Sequence, residues 1–146
     1  MTQKHVEAIQ WMLNLSQEDK DFYTDKRIWL VMQGLRDLGY SVAKINETLL
    51  GIWRLFVSAD LSADRPEYDL YVKLTGSHLT TQQFFDLTNH GREEQFLKNT
   101  LDWLHSLSKE LYSNIFTLGG YILTSDGPLS KDEVKLVEMI EEYKPD

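Results

Sequence analysis

Two short acidic segments carry the residues of this chain whose types and spacing could do chemistry. Asp60 is followed seven residues later by Glu67, and Asp126 is followed seven residues later by Glu133. Carboxylate oxygens are the ligands that Ca²⁺ and Mg²⁺ prefer in proteins. These four residues are therefore a candidate divalent-metal site, if the fold brings the two segments together.

The same spacing also has a purely structural explanation. Asp64 with Glu67, and Ser130 with Glu133, have the spacing of a capping box, in which each side chain accepts the other residue's backbone amide at the start of a helix. A carboxylate there also meets the positive end of the helix dipole. The second segment is too short for the 12-residue loop of an EF-hand. We favour capping over metal binding.

The two acidic segments belong to an internal repeat. A constant offset of 66 places residues 55–74 over residues 121–140, and Asp60 then falls on Asp126 and Glu67 on Glu133. Each copy has the end of an amphipathic helix, an Asp at a turn, a capping residue and a second amphipathic helix. The repeat predicts two equivalent helical hairpins.

Other catalytic constellations are missing from the sequence. The chain has no cysteine, and its four histidines form neither a His-x-x-x-His nor a His-Glu-x-x-His motif. We find no Gly-x-Ser-x-Gly elbow and no glycine-rich phosphate loop. A carboxylate-based hydrolase would need two carboxylates in a cleft with one pKa raised, and the sequence gives no sign of this. We therefore expect a protein that is not an enzyme and has no cofactor other than Ca²⁺ or Mg²⁺.

The aromatic residues are the other unusual feature, since the chain has four tryptophans. We expect most aromatics, among them Trp53, Trp103, Phe84, Phe85 and Tyr121, to lie in the core. Trp11 and Trp29 are the preferred candidates for an exposed interface, because aromatic residues concentrate at interface centres. The partner would be another protein or a second copy of this chain.

Helices must position these residues, because apolar residues recur at steps of three and four throughout and no stretch alternates long enough to be a strand. We predict an all-α, compact bundle of seven to eight helices in one domain, residues 1–146. Whether residues 17–24 are helix or loop stays open, and Gly119-Gly120 indicates close helix packing or a kink. The helices are expected over 3–15, 25–38, from Ser41, over 64–75, 80–87 and 92–104, from Ser108, and from Ser130.

Charge and composition limit the classes of partner that this chain can bind. The net charge is −8, and from residue 51 onward there are sixteen acidic and nine basic side chains. Nucleic-acid binding needs phosphate neutralisation by Lys and Arg, so we expect none here. No signal peptide and no apolar run of about 20 residues is present. We therefore expect a protein that is not inserted in a membrane and is cytoplasmic, and its lack of cysteine suits a reducing compartment.

The second acidic segment resembles the Ala-Asp-Gly and Ser-x-x-Glu hairpin of the tellurite-resistance TerB-like family. The matching residues are Thr124, Ser125, Asp126, Gly127, Pro128, Leu129, Ser130, Lys131, Asp132 and Glu133. The segment from Ser58 to Glu67 looks like the family's earlier hairpin, although Leu61 stands where the family usually has Gly. The layout of residues 79–102 is similar to the family's middle section. The resemblance covers about residues 41–143 and leaves residues 1–40 as an N-terminal helical extension.

This resemblance implies a fold of packed helical hairpins and a non-catalytic scaffold or interaction module in stress responses, with divalent cations as its ligands. Two alternatives remain beside it. One is a divalent-cation sensor that uses the acidic turns, and the other is the carboxylate-based hydrolase.

Overall fold

The computed structural model describes residues 1–60, 64–88 and 94–146, apart from the side chain of Asp60. These residues form eight α-helices and one 3-10 turn, Ser58–Asp60, and this described part of the chain contains no strand. The predicted all-α bundle of seven to eight helices is therefore confirmed. In chain order the helices are α1 (Gln3–Leu13), α2 (Gln17–Asp37), α3 (Val42–Val57), α4 (Arg65–Thr75), α5 (Thr81–Thr88), α6 (Glu94–His105), α7 (Lys109–Leu123) and α8 (Lys131–Glu142).

Most helix starts follow from local capping. A capping side chain accepts the backbone amide three residues further on, which satisfies one of the free amides at a helix start. Ser16, Ser41, Asp64, Ser108 and Ser130 all make this hydrogen bond, and the caps predicted at Asp64 and Ser130 are thereby confirmed. At the other end, α4 stops at Gly76, whose φ of 66° is in the left-handed region that favours glycine.

Residues 17–24, which the sequence left open, belong to α2. Ser16 caps this helix at Gln17, and the acidic residues Glu18 and Asp19 lie in its first turn, where the helix dipole favours negative charge. The result is one helix of 21 residues. The predicted first helix is slightly shorter than expected and ends at Leu13.

Two other expectations about helix bounds and faces need comment. Helix α5 ends at Thr88, one residue beyond the predicted end, while the predicted start of the next helix at Arg92 lies outside the described residues. In α8, apolar residues recur at helical spacing at Val134, Val137 and Ile140, but Val134 is only half-buried, whereas Leu136 is buried. The period of 3.6 residues places several neighbouring positions near the edge of a buried face, so the sequence alone does not separate them.

Helices α3–α4 and α7–α8 form two hairpins with matching bounds. Helix α3 ends at Val57 and α7 at Leu123, while α4 begins at Arg65 and α8 at Lys131, and both pairs are 66 positions apart. The offset found in the sequence is thus reproduced by the ends and starts of the helices at both turns.

Helices α3 and α7 pack closely at the centre of the core. A Cβ atom at Gly119 would lie 2.0 Å from Cζ of Phe56, so only a residue without a side chain fits there. Of the two interpretations of Gly119-Gly120, close packing is therefore correct at Gly119. Large buried side chains such as Trp53, Leu49 and Ile115 surround this contact.

The first 40 residues pack on the bundle of the same chain. Helix α2 contributes Ile28, Val31 and Leu35 to the core, and Nη1 of Arg27 donates a hydrogen bond to Oδ1 of Asn114 at 2.8 Å, which ties α2 to α7. Helix α1 is attached more lightly, with Met12 as its buried residue.

Among the residues that the structure describes, we find no helix with the length and apolar character needed to cross a membrane.

Candidate functional site: the acidic turns and an aromatic surface

Both hairpin turns carry a complete capping box. In the first, the Asp64 amide donates to Oε1 of Glu67 at 2.9 Å, and the Glu67 amide donates to Oδ1 of Asp64 at 3.2 Å. In the second, the Ser130 amide donates to Oε1 of Glu133 at 2.8 Å, and the Glu133 amide donates to Oγ of Ser130 at 3.2 Å. The structural role predicted for Glu67 and Glu133 is confirmed, and both side chains are buried.

The fold also brings the two turns together. The pKa of Asp126 is raised to about 6, mainly by burial and also by a side-chain hydrogen bond with Asp64 and the negative charges of Asp64 and Glu133. Asp126 belongs to the second turn and Asp64 to the first. The condition for a shared site, that the two turns face each other, is therefore met by Asp64, Glu67, Asp126 and Glu133.

Glu67 is the most strongly perturbed carboxyl group of this cluster. Burial raises its pKa to about 9, and the side chains of Asp64 and Asp126 act in the same direction, while the hydrogen bond from the Asp64 backbone lowers it. At neutral pH Glu67 is thus protonated. A neutral carboxyl group still accepts the backbone amide, so the capping box is kept.

A half-buried lysine lies beside the second turn. Nζ of Lys20, on α2, donates a hydrogen bond to the carbonyl oxygen of Thr124 at 2.9 Å. Burial lowers the pKa of Lys20, although the charges of Asp126 and Asp21 act in the opposite direction. Sequence reasoning missed Lys20, because no local pattern indicates that α2 packs against the end of α7.

The metal hypothesis for Asp60, Glu67, Asp126 and Glu133 stays a prediction. The side chain of Asp60 and the whole of Leu61 lie outside the described residues. Within the described part of the chain, no group of three or more His, Asp or Glu side chains is arranged to hold a metal ion. Oε1 of Glu67 and of Glu133 is moreover engaged by a backbone amide.

General acid–base chemistry needs a perturbed group that a substrate can reach. Glu67 and Asp126 have raised pKa values, which the sequence did not indicate. Neither residue lines any of the five best-formed cavities in the described part of the chain. The raised pKa values are a consequence of close packing between the turns, and they do not by themselves favour a hydrolase.

Four exposed aromatic side chains on α1 and α2 form what we call the aromatic surface. Trp11 is 47% exposed, Phe22 64%, Tyr23 37% and Trp29 59%. The rings of Trp11 and Tyr23 meet edge-on at 5.0 Å, and those of Phe22 and Tyr23 at 5.4 Å. Trp11 and Trp29 are exposed, as predicted. Of the aromatics expected in the core, Trp53, Phe84 and Tyr121 are buried, whereas Trp103 and Phe85 are only half-buried.

Sequence reasoning missed Phe22 and Tyr23 in this surface. Phe22 and Trp29 are seven residues apart, which places them on one face of a helix, away from the buried residues Ile28, Val31 and Leu35. That signal was present in the sequence, but it could be used only once residues 17–24 were known to be helical.

Comparison with known proteins adds no relative: no protein-family model, no curated protein and no solved structure matches this chain. The resemblance to the TerB-like family therefore stays a prediction that rests on the residues of the two turns.

Proposed function

We propose that this chain is a non-catalytic interaction module that pairs with a second copy of itself through the aromatic surface. The observation that carries the proposal is the exposure of Trp11, Phe22, Tyr23 and Trp29 on adjoining helices. Large aromatic side chains gain free energy when they leave water, at about 25 cal/mol per Å² of apolar area. They are also enriched among the residues that dominate binding energy at interfaces.

The outer face of α2 is complementary to itself. In an antiparallel pair of α2 helices, a two-fold axis between Asp25 and Lys26 sets Phe22 of one copy against Trp29 of the other. The same axis sets Lys26 of one copy against Asp25 of the other, and both side chains are exposed in the single chain. Symmetric dimers use one surface twice in this way. Two aromatic pairs and two ion pairs then form around one axis.

The length of α2 suits such a contact. Its 21 residues span about 30 Å, and Trp11 and Tyr23 extend the apolar area to one side. Specific protein interfaces bury about 1,200–2,000 Å² in total. In the pair, two acidic and two basic residues lie at the centre of the contact. This balance of charge also favours a second copy over a strongly charged partner.

The remaining parts of the proposal rest on the sequence. Local capping accounts for Glu67 and Glu133, so no pair of free carboxylates is left for catalysis in the described turns. The resemblance to TerB-like proteins supports a scaffold role in stress responses, and the absence of cysteine supports a reducing compartment such as the cytoplasm.

Light scattering coupled to size exclusion tests the pairing. We expect the mass to approach twice 17.1 kDa as concentration rises. Trp29→Glu should keep the chain monomeric, because it places a charge in the apolar centre of the contact. Met139→Glu is the matched control, since Met139 is an exposed apolar residue of α8 outside this surface, and it should leave the pairing unchanged.

Charge exchange tests the register. Asp25→Lys alone and Lys26→Asp alone should each weaken the dimer, because like charges then meet across the axis, and the double variant should restore it. A monomer at every concentration, or equal effects of Trp29→Glu and Met139→Glu, would overturn the proposal. A dimer that ignores all charge exchanges would overturn the antiparallel register.

Divalent-cation binding at the acidic turns is a second candidate, favoured by one observation. The carboxyl groups of the two turns raise one another's pKa, so a cation placed among them would relieve repulsion. Ca²⁺, Mg²⁺ and Mn²⁺ should then raise the melting temperature, and more at pH 8 than at pH 6, because the cation competes with protons. Asp126→Asn should remove the effect. Shifts below about 1 °C at ~1 mM of all three ions would contradict this candidate.

A further inference from the structure

A cavity lies between α1, α7 and α8, and neither the carboxyl groups of the acidic turns nor the four residues of the aromatic surface line it. Its volume is about 200 Å³. The inner wall is apolar and is formed mainly by Ile9, Met12, Phe56, Leu123, Leu129 and Val137. Apolar cavities of about 150 Å³ are large enough to bind benzene in other proteins. We call this space the inner chamber.

A second, wider cavity of about 480 Å³ adjoins the inner chamber and opens to solvent. The two share Lys4, His5, Ser113 and Phe116 in their walls, and the outer cavity is also lined by Lys144. We call the outer cavity the vestibule. Together they form one cleft, with an apolar interior and two lysines at its entrance.

Two hydroxyl groups of α7 face this cleft. Six other threonines on the helices donate their hydroxyl to the carbonyl oxygen four residues earlier: Thr24, Thr48, Thr75, Thr88, Thr100 and Thr124. Thr117 makes no hydrogen bond among the described residues, and it lines the inner chamber. Ser113, one turn earlier, lines both cavities. Helix α7 therefore presents polar groups that are available to a ligand.

One acidic group, Glu141, lines the vestibule together with the two lysines. Oε1 of Glu141 is buried and lies 2.5 Å from Nδ1 of His5, but it accepts no hydrogen bond within the described part of the chain. Glu138 accepts a hydrogen bond from the Met1 amino group at 2.9 Å, which fastens the start of the chain to α8. Lys4 and Lys144 outnumber Glu141 in the lining, so a ligand in the vestibule meets an excess of positive charge.

Helix α1 forms the adaptable wall of the cleft. A Cβ atom at Gly120 would lie 3.0 Å from Sδ of Met12, so the glycine leaves room for the thioether side chain. Methionine is flexible and fits irregular apolar ligands. Since Met12 is the buried residue of α1, this helix can move away from α7 at lower cost than the helices of the core.

We propose that this cleft binds a small amphiphile with an anionic head, of the chemistry of a free medium-chain fatty acid. The alkyl chain occupies the inner chamber against Met12 and Phe56. The carboxylate lies in the vestibule near Lys4 and Lys144, where the Ser113 hydroxyl is also within the lining. The net charge of −8 gives the protein no general attraction for anions, so selectivity for a carboxylate depends on these local lysines.

Titration with decanoate, followed by calorimetry and by NMR of the methionine methyl groups, tests the proposal. The chain has four methionines, of which Met12 lies in the inner chamber, while Met32 and Met139 serve as internal references. We expect a saturable shift of the Met12 methyl signal with one site per chain. Decylamine, which has the same chain and a cationic head, should bind at least about tenfold more weakly.

Variants distinguish the contribution of the ligand's anionic head from that of its alkyl tail. Lys4→Glu should weaken decanoate binding about tenfold and leave decanol binding unchanged, because decanol has no charge. Lys135→Glu is the matched control, as Lys135 is an exposed lysine of α8 that lines neither cavity, and it should have no effect. Thr117→Val, a change of similar volume, tests the free hydroxyl without filling the chamber.

Certain outcomes would overturn the proposal. These are an unchanged Met12 signal, equal affinity for decanoate and decylamine, and equal effects of Lys4→Glu and Lys135→Glu. Binding to vesicles of anionic phospholipid together with no binding of free decanoate would also overturn it, since the ligand would then be a membrane surface.

Discussion

The two hairpins, α3–α4 and α7–α8, share the helix ends at their turns and their capping geometry, and two of the equivalent positions at which they differ have clear structural consequences. Trp53 of the first hairpin corresponds to Gly119 of the second, and Asp64 corresponds to Ser130. The first difference concerns volume and the second concerns charge. Backbone geometry can therefore be repeated within a chain while packing and electrostatics are divided between the copies.

The difference in side-chain volume between positions 53 and 119 allows the two hairpins to pack against each other in the core. Trp53 is fully buried and meets the Tyr71 ring edge-on at 5.2 Å, so it fills space within the first hairpin. At the equivalent position Gly119 leaves space, which the Phe56 ring of the first hairpin occupies. The first hairpin contributes the large side chains, and the second leaves the space that the Phe56 ring fills.

The difference in charge between positions 64 and 130 distinguishes the two turns. The first turn has two carboxyl groups in its capping box, Asp64 and Glu67, whereas the second has the Ser130 hydroxyl and Glu133. Asp64 acts on both Glu67 and Asp126, and it raises the pKa of each. A single residue difference between the copies thus contributes to the unusual protonation of the cluster.

Gly119→Ala should have the largest effect on stability, because it places a side chain where the second hairpin leaves space for the first. Its Cβ atom would lie between 2.0 and 2.5 Å from three atoms of the Phe56 ring, which the packed core cannot accommodate without moving α7. We expect a loss of about 3 kcal/mol or more in unfolding free energy, measured by denaturant titration.

Gly51→Ala is the control for this substitution. Gly51 lies on α3, and a Cβ atom there would meet nothing within 4 Å. Alanine in a helix is favoured over glycine by about 0.5–1 kcal/mol, so this variant should be stabilised. Equal destabilisation by both changes would contradict the close packing of α3 and α7.

Glu67→Gln tests the difference in charge between the two turns. Because the pKa of Glu67 is about 9 in the folded protein and near 4.5 when unfolded, the folded state holds the proton more tightly. Its contribution to stability is full below pH 4.5 and is lost as the pH rises towards 9. Glutamine keeps the capping box and cannot ionise. It should stabilise the protein by about 1–3 kcal/mol at pH 9, and have little effect at pH 4, in thermal unfolding experiments.

Ser130→Ala tests the second turn, where capping depends on a hydroxyl. Removal of this cap should cost about 1 kcal/mol at any pH between 5 and 9. Asp64→Ser gives the first turn the residue of the second, so it should keep the cap and lessen the pH dependence assigned to Glu67. A Ser130→Ala loss that changes strongly with pH would show that the two turns do not differ as described.

Much of the fold could be predicted because its causes are local. The caps at Ser41, Asp64, Ser108 and Ser130 depend on residues within one turn, and the offset of 66 made the two hairpins visible. The continuous α2 was harder, since residues 17–24 are mostly polar and favour neither helix nor loop by periodicity. Once α2 is complete, the exposed position of Phe22 follows from its spacing to Trp29.

The properties of the candidate sites depend on contacts between distant segments. The raised pKa of Glu67 comes first from burial between packed elements, to which the charge of Asp126 from the other turn adds, and the half-buried position of Lys20 needs α2 to reach the end of α7. The cleft needs Met12 of α1 to lie over Gly120. No spacing within a single segment reports such contacts, so the sequence could name the acidic residues but not their ionisation, and it did not indicate the cleft.

The meeting of the acidic turns is tested most directly by a carboxyl ¹³C NMR titration of Glu67. We expect its signal to titrate with a pKa of about 9, and to titrate at lower pH in Asp126→Asn, because Asp126 from the other turn raises this pKa. Titration near the ordinary value of 4.5 in both proteins would contradict the packing of the two turns against each other.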